Sequence, residues 1–182
     1  MLPCEQMMIL QFKSIDKQES GILYSLLCQS YADLIKSNPI HWMSEENNWK
    51  EFDRDAFGNP ETIGACVFFS WRGRELIGFA SFDPRKAPKI GIIGHNCILP
   101  EFCGQGYGNQ QINEILERFM ILGIQTAQVT TNGNPFFVSA QRMYKSCGFQ
   151  EISREPWEGD KTQMLIHYQK ELDNNGMKKD GL

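Results

Sequence analysis

An apolar run that ends in a dense cluster of glycines and turns at once into a helical pattern is the feature that most limits how this chain can fold. The run is Ile90–Leu99, and the cluster is Cys103-Gly104-Gln105-Gly106-Tyr107-Gly108. Ile112, Ile115, Leu116 and Phe119 then recur on one face of a helix expected over Gly108–Leu122, with Gly123 suited to its C′ position. A strand feeding a helix through glycines makes an anion cradle. Glycines let the backbone approach the anion, and the first helical N–H groups point at it. The pattern therefore calls for a sheet with helices packed on it and a phosphate-bearing ligand at the strand end.

The rest of the chain supplies the other elements. Met7–Phe12 reads as a first strand. Asp16 and Glu19 have capping-box spacing ahead of a helix whose apolar stripe runs from Ile22 to Ile35. Asn38-Pro39 is expected to stop it, and Ser44 to cap a second helix over Glu45–Phe57. Ala65–Trp71 and Glu75–Phe82, joined by Arg72-Gly73-Arg74, form a hairpin, and Asp83–Pro88 reads as a loop. Thr126–Thr131 is a strand, Pro135 opens a helix closed by Gly148, and Phe149–Arg154 and Gln163–Gln169 are the last two strands. This alternation predicts an α/β or α+β domain over residues 1–172 with a polar tail at 173–182.

Composition narrows the function. A net charge of −4 argues against nucleic-acid binding driven by bulk electrostatics. No apolar stretch approaches the ~20 residues that span a bilayer, and the first residues lack a basic, signal-like segment, so a cytoplasmic protein without a membrane partner is expected. The six cysteines are scattered, and the three histidines (His41, His95, His167) lie far apart. That reads as reduced thiols with no metal site.

Three phosphate loops compete for the glycines. A nucleotide-hydrolase loop needs a Lys-Ser/Thr pair after its last glycine, and none follows. A dinucleotide fingerprint needs G-x-G-x-x-G, whereas Gly104, Gly106 and Gly108 are spaced G-x-G-x-G. The third candidate is a coenzyme A pyrophosphate loop, matched by Cys103-x-x-Gly106-x-Gly108 after Ile98-x-Pro100. A second block follows downstream, Ala140-x-x-x-Tyr144-x-x-x-Gly148-Phe149 after Asn134-Pro135-Phe136-Phe137.

With both blocks present, the chain resembles the GNAT superfamily of N-acetyltransferases. The resemblance implies a mixed, mostly antiparallel sheet of roughly six or seven strands flanked by roughly four helices. It implies acetyl-CoA as co-substrate, an amine-bearing acceptor and, as in many such folds, a possible homodimer. Asn96, Cys97 and Ile98 would lie along pantetheine and face the thioester. Gly104, Gln105, Gly106, Tyr107, Gly108 and Asn109 would cradle the pyrophosphate, with Asn134 near the cofactor. Tyr144 would be the general acid to the leaving thiolate; packing on pantetheine is its other reading.

Three positions depart from the family pattern. Cys103 stands where Arg or Gln is usual, Phe137 where many members carry Asn, and Ile92 where several carry a Glu base. His95 is the titratable side chain left late in that strand, as base or as a buried histidine. An alkyl amine, with a pKa of about 10, must lose a proton to attack. Trp42 and Trp49 are compatible with an acceptor wall or with helix packing, and Cys97 with an acyl carrier or a core residue. Two functions remain open, an acetyl-CoA-dependent N-acetyltransferase and a catalytically silent acyl-CoA sensor of the same fold.

Overall fold

A computed structural model describes residues 9–158 and 160–173, apart from the side chains of Ile40, His41, Met43 and Ser44. The expected positions Met7 and Met8 and most of the tail therefore lie outside the described residues. In chain order the elements are β1 (Gln11–Lys13), α1 (Ile22–Ser30), α2 (Ala32–Ser37), α3 (Pro39–Gly58), β2 (Val67–Arg72), β3 (Glu75–Lys86) and β4 (Ile90–Ile98). They continue with α4 (Tyr107–Ile121), β5 (Thr126–Asn132), α5 (Val138–Ser146), β6 (Gln150–Trp157) and β7 (Asp160–Glu171). The seven strands form one sheet in the order β1-β2-β3-β4-β5-β7-β6.

Every neighbouring pair is antiparallel except β4 and β5. A parallel pair needs a crossover, and α4 supplies it. That pairing covers only Ile90–Ile92 against Thr126–Gln128. Beyond it the two strands part. The ladder between β3 and β4 shifts between Phe82, opposite Ile93, and Ala80, opposite Asn96, which places one extra residue in β4 at Gly94–His95. Such a bulge bends its strand, and it lies where β4 leaves β5.

Both faces of the sheet are covered, so the consecutive β2 residues Val67, Phe68, Phe69 and Ser70 are buried. On one face Ile112, Ile115, Leu116 and Phe119 of α4 pack on Phe68, Phe82, Ile93, Val129 and Ile166. Each such side chain stabilises the fold by about 2 kcal/mol through burial. On the other face Leu23, Leu26 and Leu27 of α1 and Trp49 and Ala56 of α3 pack on Val67, Phe69, Phe79 and Cys97.

Several expectations need correction. The capping box at Asp16 and Glu19 does not form. Ile15–Lys17 is a short 3-10 turn, and α1 begins at Ile22 behind Gly21, which has φ 98°. The cap comes instead from Asp53 of α3, 3% exposed, which accepts from Ser20 Oγ (2.9 Å) and from the N–H groups of Gly21 (2.6 Å), Leu23 (2.9 Å) and Tyr24 (3.4 Å). The expected single helix from Ile22 to Ile35 breaks at Tyr31, whose ring stacks on Trp49 at 5.3 Å. α3 opens at Pro39 rather than at Glu45, because proline ends one helix and suits the first turn of the next. β3 runs on to Lys86, and the last hairpin is longer at both strands than the sequence suggested. The described residues hold five α-helices, in keeping with the roughly four expected, and none of them is long and apolar enough to cross a membrane.

Candidate active site

The splay between β4 and β5 opens into a cavity of about 870 Å³. Its walls come from β4, the glycine loop, the start of α4, the end of β5, the 3-10 turn Pro135–Phe137, α5, and the α1–α3 segment. That size fits a binding site for small molecules.

β4 presents an open edge to this cavity. Leu99 N–H donates to Ile77 O at 2.8 Å, so residue 99, and by alternation residue 97, turns its backbone toward β3. Asn96 and Ile98 turn theirs toward the gap, where β5 has moved away. A ligand arm with alternating amide donors and acceptors can pair there as an added strand would. The Cys97 carbonyl faces inward and accepts from the buried Gln111 Nε2 at 3.2 Å.

The glycine loop closes one end. Gly104 (φ 76°) and Gly106 (φ 82°) both adopt the left-handed region, which lets successive N–H groups converge ahead of α4. Gly108 has a different reason to be glycine: a side chain there would run into Met143 of α5. Asn109 Nδ2 donates to Ser146 Oγ at 2.9 Å, tying α4 to α5. One turn before Ser146, Arg142 lines the same end, a cation that the sequence patterns did not single out. Its signal was there, a basic residue one helical turn from the end of α5, but nothing local fixes which face it takes.

The other expected cofactor residues divide. Gly104, Gly106, Tyr107, Gly108, Asn109, Asn96, Cys97 and Ile98 line the cavity. Gln105 is not among the lining residues; it donates to Glu101 O at 3.2 Å. Asn134 is not among them either. Its Oδ1 accepts from Phe136 N at 2.9 Å and so caps the 3-10 turn. Cys103, in the Arg or Gln position of the pattern, turns its thiol to the carbonyls of Ile98 and Leu99.

Tyr144 of α5 reaches the middle of the cavity wall, 4% exposed, and accepts a hydrogen bond from Asn96 Nδ2 at 3.0 Å. That leaves its own O–H free to donate. Burial pushes the phenol up to about 12, and the Asn96 amide pulls partly against the rise. Burial likewise pushes Cys97 up to about 11 and raises Tyr31. A thiol so placed keeps its proton at neutral pH. His95 lines the cavity beside Phe52, with ring centroids 5.0 Å apart, and burial lowers its pKa, so the imidazole is neutral at pH 7.

Two features escaped the sequence reading. Thr130 of β5 lines the cavity, and its Oγ1 lies 2.8 Å from His167 Nδ1, while His167 Nε2 lies 3.2 Å from Glu155. The second is an aromatic wall. Tyr31, Trp42, Trp49, Phe136, Phe137 and Trp157 all line one side, with Trp42 and Trp157 5.6 Å apart and Phe136 and Phe137 5.1 Å apart. Only the tryptophans of α3 were visible beforehand, because four separate segments build the wall.

Known proteins share this arrangement of elements. Residues 64–151 match the model described as an acetyltransferase (GNAT) domain. No curated protein matches the chain by sequence. Among solved structures, it is similar to a protein assigned to the GNAT family from Desulfovibrio desulfuricans, at 15% identity, a TM-score of 0.71, and coverage of 90% of this chain and 99% of that one. It is also similar to the spermidine N-acetyltransferase of Vibrio cholerae in complex with CoA and spermine, at 17% identity, a TM-score of 0.69, and coverage of 91% and 97%. The ribosomal-protein-S18-alanine N-acetyltransferase of Escherichia coli gives 14% identity, a TM-score of 0.62, and coverage of 95% and 98%.

Proposed function

From the match of residues 64–151 to a GNAT acetyltransferase domain, we propose that the chain transfers the acetyl group of acetyl-CoA to a primary amine by direct attack in a ternary complex. The observation that carries the proposal is Tyr144, hydrogen-bonded from Asn96 beside the open edge of β4, in the cavity that the glycine loop closes. A solved relative of the same fold is named as a spermidine N-acetyltransferase bound to CoA and spermine, which supports an amine as acceptor.

Acetyl-CoA supplies the activated acyl group. The chain's own groups hold and steer it. Backbone groups of Asn96 and Ile98 receive the amide-bearing arm. The N–H groups around Gly104, Gly106 and Asn109, with Arg142 nearby, receive the pyrophosphate. Juxtaposing amine and thioester in one cavity supplies much of the rate.

Tyr144 acts on sulfur by hydrogen bonding. Its pKa of about 12 lies well above the ordinary thiol value of about 8.5, so complete proton transfer to a thiolate is uphill by about 5 kcal/mol. The phenol therefore stabilises developing charge as the C–S bond breaks. The proton that finally reaches sulfur comes by way of the nitrogen that has just acquired an acyl group. His95, neutral at working pH, accepts a proton from the attacking ammonium, directly or through water. Cys97 has no covalent part in this scheme: its thiol stays protonated in the core.

Steady-state thiol release from acetyl-CoA over a panel of amines tests the proposal. Release that depends on the amine, with matching N-acetylated product, is expected. Saturable CoA binding with no release for any amine would contradict it and would make the domain an acyl-CoA sensor.

A further inference from the structure

The acceptor arm of the cavity is built for a particular kind of amine. Trp42, Glu45 and Trp49 are spaced by three and four residues, so they share one face of α3, and all three line the cavity. Both indoles are nearly covered, at 6% and 3% exposed. Glu45 between them is half-buried, and among the described side chains its carboxylate accepts a long hydrogen bond from Asn48 Nδ2 at 3.5 Å. Tyr31, Phe136 and Phe137 continue the same wall: Tyr31 stacks on Trp49 at 5.3 Å and lies 5.7 and 5.9 Å from the two phenylalanine rings, and Phe137 lies 6.4 Å from Trp42. The second carboxylate, Asp33, belongs to the rim: its side chain is 89% exposed and paired with Lys36 at 3.6 Å.

The distribution of positive charge completes the picture. Among the described residues that line the cavity, the one lysine or arginine is Arg142. It stands on α5 near Ser146, to which Asn109 of α4 is bonded, at the glycine-loop end. An acceptor carrying a carboxylate beside its amine would thus be buried among rings and next to Glu45, without a cation to pair with. An acceptor with several ammonium groups would find one half-buried carboxylate and a rim carboxylate already engaged. A flat apolar body with a single amine packs along this wall of rings and meets one carboxylate that draws its ammonium in.

We propose that the acceptor is an arylalkylamine or a similarly apolar primary monoamine without an α-carboxylate, selected by the aromatic wall and by Glu45. The inference rests on the N-acetyltransferase reading. In the reaction one N–C bond forms and the C–S bond breaks; the bound ammonium loses one proton to His95 and on to solvent, and the acylated nitrogen passes a second to sulfur.

The test compares kcat/KM for phenethylamine, phenylalanine and spermidine with acetyl-CoA held saturating. Phenylalanine differs from phenethylamine only by the carboxylate. Phenethylamine is expected to exceed phenylalanine by roughly 10- to 100-fold, the penalty of one unpaired buried carboxylate. Glu45→Gln should raise the KM for phenethylamine roughly tenfold and leave that for acetyl-CoA unchanged. Phe136→Leu should weaken phenethylamine in the same way, a second reading that does not depend on charge. Use of phenylalanine or spermidine as well as phenethylamine, or an unmoved KM in both variants, overturns the acceptor class and leaves the transferase standing. Turnover of other amines but of none of these three overturns the acceptor class alone, and CoA binding without turnover of any amine, these three and a wider panel included, removes the transferase reading and the acceptor class with it.

Discussion

Tyr144 and His95 carry opposite electrostatic consequences of the same cause. Burial raises the phenol to about 12 and lowers the imidazole. Tyr144 therefore contributes no inflection to the rate between about pH 6 and pH 10, and any loss on the alkaline side over that range has another origin. His95 must be neutral to accept a proton. Expressed per neutral amine, kcat/KM should rise to a plateau with a midpoint below the ordinary histidine value of about 6.5, and His95→Ala should abolish that limb. If the limb persists in His95→Ala, the line of Thr130, His167 and Glu155 on the opposite wall is the next route for the proton. The same shift has a stability consequence. The folded chain disfavours His95⁺, so stability is complete above about pH 6.5 and declines as pH falls through the lower folded value. Thermal melting of His95→Gln should accordingly lose part of the acid dependence seen in the parent below about pH 6.5.

At the scale of elements, α1 depends on a cap it does not own. Asp53 reaches from α3 to satisfy Ser20, Gly21, Leu23 and Tyr24 together, fully buried. Asp53→Ala should destabilise the chain by about 3 kcal/mol, measured by denaturant unfolding, because several donors are orphaned at once. Asp53→Asn, which keeps one acceptor oxygen, should lose less. Gly106 binds the loop to its left-handed turn, and Gly106→Ala should cost about 1 kcal/mol in stability while raising the KM for acetyl-CoA well beyond what that strain explains. These two cases mark what the sequence could reveal. The glycine loop was legible because strand, turn and helix follow one another directly between Ile90 and Ile121, and backbone need is written in residue type. The cap was not legible: Asp16 offered a nearer acceptor with the right spacing, and only tertiary packing brings Asp53 to Gly21. The break at Tyr31 was hidden for a related reason, since the apolar stripe runs on unbroken through it and the stacking on Trp49 comes from another helix.

Over the whole molecule, function follows from a sheet that is incomplete on purpose at one seam. β4 and β5 pair for three residues and then part, and the helices α4 and α5 on one face and α1 to α3 on the other contribute the walls of the opening. Alternation of strands and helices foretold the class of fold, and the Tyr144 and Gly148-Phe149 block foretold that α5 belongs with the loop. The splay itself and the aromatic wall were out of reach, because register between distant strands and the meeting of four segments are not encoded in local spacing. A ligand that fills the seam should bind the folded chain alone, so CoA at about a hundred times its Kd should stabilise it by about 2.7 kcal/mol and raise Tm by several degrees. Amide exchange at Asn96 and Ile98 should slow in the complex, while that at Cys97, already turned to β3, should change little.

The central claim is that Tyr144, held by Asn96 at this seam, serves the chemical step. Single-turnover acetyl transfer from bound acetyl-CoA to an accepted amine, in parent and Tyr144→Phe, tests it most directly. The account predicts a fall in the transfer rate of about 100-fold, with CoA affinity unchanged within about twofold. An unchanged rate of transfer, or a loss wholly explained by weaker CoA binding, would contradict it.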